Sequence, residues 1–205
     1  MGSIGIKNKD YTKKQLEDRY IGLVEVVNIL KKYDIPYRIA AGTLLGFYRD
    51  KAFIPWDNDV DFFFNVDDIY SKTEELLQTF NNQGFEIKNV NMDLQCYSLV
   101  INKYGSKYEF SGFHKKGKYM IQLPKWNVGW RYPESLFNEI GVIEFNGKEY
   151  TTFKNIENFL LLQYGDWNKE KRSGYLTYKV RVNYFNPFIR VFLKIQQFIE
   201  FLKRF

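Results

Sequence analysis

Three aspartates, Asp57, Asp59 and Asp61, stand at alternate positions and run directly into the apolar stretch Phe62-Phe63-Phe64. The pattern reads as a strand over Val60 to Phe64, buried on both sides. Side chains two apart on a strand point to the same face, so the three carboxylates share one edge and repel one another. The usual relief is a divalent cation, and an all-oxygen ligand set favours a hard one, Mg²⁺ or Mn²⁺. About fifteen residues upstream, Gly42-Thr43-Leu44-Leu45-Gly46-Phe47-Tyr48-Arg49 forms a glycine-flanked turn. Such a turn offers close backbone approach and N–H donors, which suit a phosphate. Turn, arginine and acidic strand together read as a metal-dependent phosphoryl-transfer site. The plain alternative for the aspartates is a solvated Asp-rich turn; a calcium loop fails for want of its glycine and distal glutamate.

The 205 residues suffice for one sizeable core, or a core with a small appendage. Aromatic residues make up 19% of the chain, a richness that argues against disorder. The formal net charge of +6 fits an anionic substrate or surface, but the basic residues are scattered and propose no nucleic acid as partner. Cys96 is the single cysteine, which excludes an internal disulfide framework and a Cys-rich zinc site. It sits in an apolar run and reads as a buried structural thiol. With no apolar leader and no long apolar run, the expected location is cytoplasmic, either free or peripheral at a membrane.

Thr12 and Gln15 form a capping-box pattern that opens a helix, with Leu16, Tyr20, Leu23, Val24, Val27 and Leu30 at helical spacing. Asp34 and Pro36 end it. A short strand over Tyr37 to Ala40 leads into the glycine turn, and Thr43 to Arg49 reads as a brief helix facing the site. Asn65 caps a helix expected from Val66 to about Asn82. Short strands follow over Phe85–Val90, Cys96–Asn102, Tyr108–Phe113 and Tyr119–Leu123, then a Trp-, Pro- and Gly-rich loop over Pro124–Pro133. Asn146-Gly147 turns a hairpin, and Asn155 to Tyr164 is a helix stopped by Gly165. His114, among lysines, reads as part of a surface turn. Lys169 to Arg181 is polar and reads as irregular. The organisation is α+β: one domain over 1–170, then an irregular segment and a C-terminal amphipathic helix within 171–205.

The G-T-L-L-G-x-x-R turn and the F-I-P-W-D-x-D-x-D segment, here Gly42 to Arg49 and Phe53 to Asp61, resemble the hallmark of the LicD/fukutin family. A second match lies in Leu136-Phe137, in Ile143 to Lys148 and in Leu161 to Trp167, with its Tyr164-Gly165-Asp166. The resemblance covers roughly residues 15 to 170. It implies a nucleotidyltransferase-like mixed β-sheet core with flanking helices. It also implies transfer of phosphocholine, ribitol phosphate or a similar group from a CDP-linked donor to a glycan or lipid-linked glycan.

Carried onto this sequence, the resemblance makes Asp59 and Asp61 the principal metal ligands, and Asp57 a further ligand or the base. Gly42 and Thr43 are expected to hold donor phosphate, Arg49 and Lys51 to balance its charge, and Trp56 to form a wall. Trp126, Trp130, Tyr164 and Asp166 are the expected acceptor-side residues; for the tryptophans, simple loop packing is the alternative. Gln122 stands where many members carry an acidic residue, and Glu109, on the preceding strand, is the carboxylate available to replace it. Two other functions remain open: nucleotidyl transfer with release of pyrophosphate, and a non-catalytic binding role. The segment 187–205 has a broad apolar face flanked by Arg190, Lys194, Lys203 and Arg204. It reads either as a helix docked on the domain or on a second copy in a homo-oligomer, or as one lying in an anionic membrane surface.

Overall fold

A computed structural model describes residues 10–123, 128–170 and 181–183 of the chain. Trp126, the helix expected within 187–205 and most of the segment 169–181 lie outside the described residues. Helix α1 (Lys13–Lys32) opens on the expected capping box: Thr12 Oγ1 accepts from the Gln15 N–H at 3.3 Å, and Gln15 Oε1 accepts from the Thr12 N–H at 2.8 Å. Strand β1 (Arg38–Ile39) leads into α2 (Ala41–Leu45), which runs on as a π-helical turn over Gly46–Asp50. Strand β2 (Asp59–Asn65) carries two of the aspartates, while Asp57 sits in the turn before it.

The single helix expected from Val66 to Asn82 is broken into α3 (Val66–Ile69), a 3₁₀ turn at Tyr70–Lys72 and α4 (Thr73–Asn82). At the break, Thr73 Oγ1 donates to the Ile69 carbonyl at 3.1 Å and shares a 2.9 Å hydrogen bond with the Tyr97 hydroxyl. A hydroxyl bonded back to the i−4 carbonyl bends a helix. Four strands follow: β3 (Glu86–Asn91), β4 (Ser98–Lys103), β5 (Ser106–Lys116) and β6 (Tyr119–Gln122). The second half of the expected 124–133 loop is instead a strand, β7 (Val128–Pro133), paired antiparallel with β6 from Tyr119↔Pro133 to Gln122↔Trp130. Its aromatic residues favour a strand, and its proline falls at the strand end, where a missing N–H costs least. The chain continues through α5 (Ser135–Asn138), a hairpin of β8 (Ile140–Phe145) and β9 (Lys148–Phe153), α6 (Ile156–Tyr164) and β10 (Arg181–Asn183).

Eight strands make one mixed sheet, and β8 and β9 pair separately. At its centre β2 and β5 run parallel, in register from Asp59↔Lys107 to Asn65↔Phe113, and β4 pairs antiparallel with β5. Beyond the expected domain boundary at residue 170, β10 pairs with β7 and so joins this same sheet. Two sequence expectations outside the site are corrected. Cys96 is half-buried in a bend, where Asn91 Nδ2 donates to its sulfur at 3.1 Å, because the apolar run enters the sheet only at Ser98. His114 lies on β5 opposite Ile121 rather than in a turn, and burial holds its pKa below the ordinary value, with the Lys116 charge adding to the effect.

Alternation along β2 and β5 assigns their two faces. Phe62 and Phe64 stack on Phe110 with centroids 5.2 and 5.5 Å away, and Phe80 of α4 meets the same ring edge-on at 5.6 Å. On this side α1 and α4 cover the sheet. On the other face Phe63 joins Phe113, Tyr132, Phe153 and Phe159 in a second aromatic cluster. The hairpin is clipped to β1 by Thr151 and Thr152, whose hydroxyls donate to the Tyr37 and Ile39 carbonyls at 2.6 and 2.7 Å. Among the described residues no helix is long and apolar enough to cross a membrane.

Phe110 is almost fully buried at the meeting of β2, β5 and α4. Phe110→Ala is expected to cost about 3–5 kcal/mol, read as a lower urea midpoint at unchanged slope. A loss below about 1 kcal/mol would show that the core is not organised around this ring.

Candidate active site

The face of β2 that alternates with Phe62 and Phe64 carries Asp59 and Asp61 into a cavity of about 470 Å³. Asp57 joins them from the turn, and one carboxylate oxygen from each of the three lies within 4.8 Å of the others. Backbone geometry around them is tightly specified. The Asp61 N–H donates to Thr43 Oγ1 at 2.9 Å, and the Thr43 N–H donates back to Asp61 Oδ2 at 3.4 Å. Gly42 lies against the cluster so closely that a Cβ there would overlap Asp57 Oδ2. The two residues expected to touch donor phosphate thus hold the acidic cluster in place: Thr43 fixes Asp61, and Gly42 leaves room for Asp57.

Behind the cluster, Arg19 of α1 is fully buried. Its Nη1 donates to the Asp57 carbonyl at 2.8 Å and its Nε to Ser106 Oγ at 3.1 Å, and its guanidinium lies over the Tyr11 ring. This residue ties the acidic turn to the start of β5. Sequence reading missed it, although a cation on the helix face between Leu16 and Leu23 is a signal for a buried charge. Glu109 of β5 lines the same cavity opposite Asp61, and Lys107 stands opposite Asp59 beside it without being among the lining residues. Lys107 Nζ donates to Glu109 Oε1 at 2.7 Å and to Asp59 Oδ2 at 3.2 Å. Burial works against the Lys107 charge, but the bond to Glu109 and the two carboxylate charges outweigh it and raise its pKa. Gln122 also lines the cavity, with its Nε2 donating to the Tyr97 carbonyl at 3.1 Å.

Burial and the neighbouring Asp59 charge push the Asp57 carboxyl up to about 7. Burial first, then Asp59, Asp57 and Glu109, push Asp61 well above the ordinary range. The remaining walls are aromatic and polar: Trp56, Trp130, Tyr164 and Trp167 with Arg49 and Asp166. Arg49 reaches the cavity already paired to Asp50, through two contacts of 2.7 Å, and donates to the Trp167 carbonyl at 3.2 Å. Asp166 pairs with Lys169 at 2.8 Å. Lys51 is not among the lining residues: it is exposed, and its Nζ donates to the Tyr48 carbonyl at 3.0 Å. Burial, then the charges of the aspartates, raise the Tyr164 pKa far above ordinary, so its phenol stays neutral.

The model of the LicD/FKTN/FKRP nucleotidyltransferase domain matches residues 34–155. The chain belongs to this family. The matched span includes the three aspartates, Thr43 and Glu109, whereas Arg19 precedes it and Tyr164 and Asp166 follow it. An uncharacterized protein of Rickettsia typhi is 26% identical over 171 residues, covering 80% of this chain and 51% of that protein. The lipopolysaccharide cholinephosphotransferase LicD of Haemophilus influenzae is 42% identical over 40 residues, 20% of this chain and 15% of that enzyme. The chain thus spans about half the length, or less, of these curated relatives. A crystal structure of ANT(2″)-Ia in complex with adenylyl-2″-tobramycin superposes with a TM-score of 0.42 at 11% identity, covering 66% of this chain and 69% of that one.

The donor set of this LicD-family chain fits a hard divalent cation: three carboxylate oxygens converge, and without a cation burial and the neighbouring carboxylates raise the pKa of Asp57 and Asp61. The linkage has a definite sign. Between the unfolded value near ~3.9 and about 7, native Asp57 keeps a proton that the unfolded chain has released. Its contribution to stability is therefore full below about 4 and is lost as pH rises through about 7. In chelator, Asp57→Asn is expected to melt close to wild type at about pH 4 and above it by a margin that widens as pH rises to about 7 and then levels off. A gap that stays constant with pH would contradict this. Gly42→Ala is expected to displace the Asp57 carboxylate and weaken Mn²⁺ binding, by calorimetry, about ten-fold or more while the far-UV circular dichroism is retained. Unchanged affinity would show that the close approach is incidental.

Proposed function

We propose that the chain transfers a phospho-group, such as phosphocholine or ribitol phosphate, from a CDP-linked donor to a hydroxyl of a glycan. The reading rests on family membership together with one observation, the convergence of three carboxylates within 4.8 Å on the wall of a cavity large enough for a nucleotide. Phosphoryl-type transfer asks a protein mainly for charge neutralisation and alignment. A divalent cation held by Asp59 and Asp61 would supply the neutralisation at the donor's non-bridging oxygens. The chain's own residues supply the alignment. Thr43 fixes Asp61, and Arg19 fixes the Asp57 turn, so Asp57 is held where it either joins the ligand set or takes the acceptor proton. Trp56, Trp130 and Trp167 offer flat apolar faces to a base or a sugar ring, and the neutral Tyr164 phenol offers a donor.

Nucleotidyl transfer is the second reading, kept because the family is described as a nucleotidyltransferase domain. The products separate the two: CMP released from a CDP-linked donor marks phospho-group transfer, and pyrophosphate released from a nucleoside triphosphate marks nucleotidyl transfer. The protein incubated with a panel of CDP-linked donors and glycan acceptors is expected to release CMP only with Mg²⁺ or Mn²⁺ present. Asp61→Asn is expected to lower that release on the order of a hundred-fold or more. Full turnover in excess chelator would refute the metal-dependent reading.

A further inference from the structure

Lys107 places an ammonium against one of the three clustered carboxylates. The parallel register sets it opposite Asp59, and its Nζ spans Asp59 Oδ2 at 3.2 Å and Glu109 Oε1 at 2.7 Å. Among the described residues it is the cation ion-paired with the aspartate cluster. Arg19 hydrogen-bonds the Asp57 carbonyl and makes no ion pair with a cluster carboxylate, although its charge is felt at Asp57, and Arg49 is already paired with Asp50. A divalent ion arriving at Asp59 must therefore displace the ammonium or sit beside it, and either outcome weakens binding of the metal alone. Lysine is suited to displacement, since its charge rides on a flexible stem with three rotatable donors. Once displaced it needs another anion, and a diphosphate entering the cavity brings one.

We propose that Lys107 is a resident counter-cation that holds Asp59 until a divalent metal and a nucleoside diphosphate enter together, so that the two bind cooperatively. The proposal rests on the metal-site reading above and adds a coupling that this reading does not require. Such coupling is reciprocal: the diphosphate tightens the metal by the same factor that the metal tightens the diphosphate. One third of the Lys107 side chain is exposed, so an isosteric neutral residue fits without opening a buried hole.

The test is calorimetric titration of the full chain with Mn²⁺ alone and with Mn²⁺ after saturation by CDP. Lys107→Met is expected to bind Mn²⁺ alone about ten-fold more tightly than wild type, and CDP is expected to tighten Mn²⁺ more in wild type than in the variant. Lys107→Arg, which keeps the charge, is expected to stay close to wild type. In chelator, Lys107→Met is expected to melt below wild type and to gain more on addition of Mn²⁺. Equal or weaker Mn²⁺ binding by Lys107→Met, with wild type binding normally, overturns the counter-cation role and leaves the metal site standing. Absence of Mn²⁺ binding in both proteins overturns the metal site itself and the coupling with it.

Discussion

The parallel ladder from Asp59↔Lys107 to Asn65↔Phe113 imposes two opposite environments on one pair of strands, and the rest of the structure is arranged around that contrast. On one face Phe62, Phe64 and Phe110 stack beneath α1 and α4, where burial of apolar surface is the dominant stabilising contribution. On the other face the same strands carry Asp59, Asp61 and Glu109 to a cavity, with Lys107 bonded to Asp59 and Glu109. Alternation makes the two faces inseparable. A one-residue slip of β2 would send the aspartates into the phenylalanine core, so the core that stabilises the domain also fixes the register of the site.

The site is costly in the absence of a cation. Three carboxylates converge with a fourth, Glu109, beside them, and two of the four are driven toward the protonated form. The structure offsets this with fixed positive charge placed at different depths. Arg19 lies behind the Asp57 turn in full burial, and Lys107 lies at the rim between Asp59 and Glu109. The buried guanidinium cannot leave without unmaking α1, whereas the rim ammonium can swing away. A permanent charge and a displaceable one are therefore built into the same cluster, which is a useful division for a site that must accept and release charged ligands.

Gln122 and Glu109 use their polar groups differently. Gln122 lines the cavity but spends its amide on the Tyr97 carbonyl. Glu109 stands directly opposite Asp61 across the parallel pair, where its charge reaches the aspartates. Gln122 and Glu109 thus bring an amide and a carboxylate from neighbouring strands to the same cavity. The aromatic walls come from segments far apart in the chain, Trp56 before β2, Trp130 on β7 and Trp167 beyond α6, and only the tertiary fold makes them one surface.

Local patterns made much of this legible. The capping box at Thr12 and Gln15 and the Asn146-Gly147 turn are set by short-range stereochemistry and lie where the sequence places them, and the three aspartates converge as read although Asp57 stands before the strand rather than on it. The family's first motif, inside the matched span, was likewise readable as it stands. Local patterns could not decide the break between α3 and α4, because it depends on a Thr73 hydroxyl meeting Tyr97 from a distant segment. Nor could they place β7, whose Trp and Pro read as loop until β6 pairs with it. The parts played by Gly42, Thr43, Arg19 and Lys107 were hidden for the same reason. What each side chain touches is set by strand register and helix packing, long-range relations that composition and spacing do not encode, so the sequence determined which groups were available and the tertiary structure decided which of them meet.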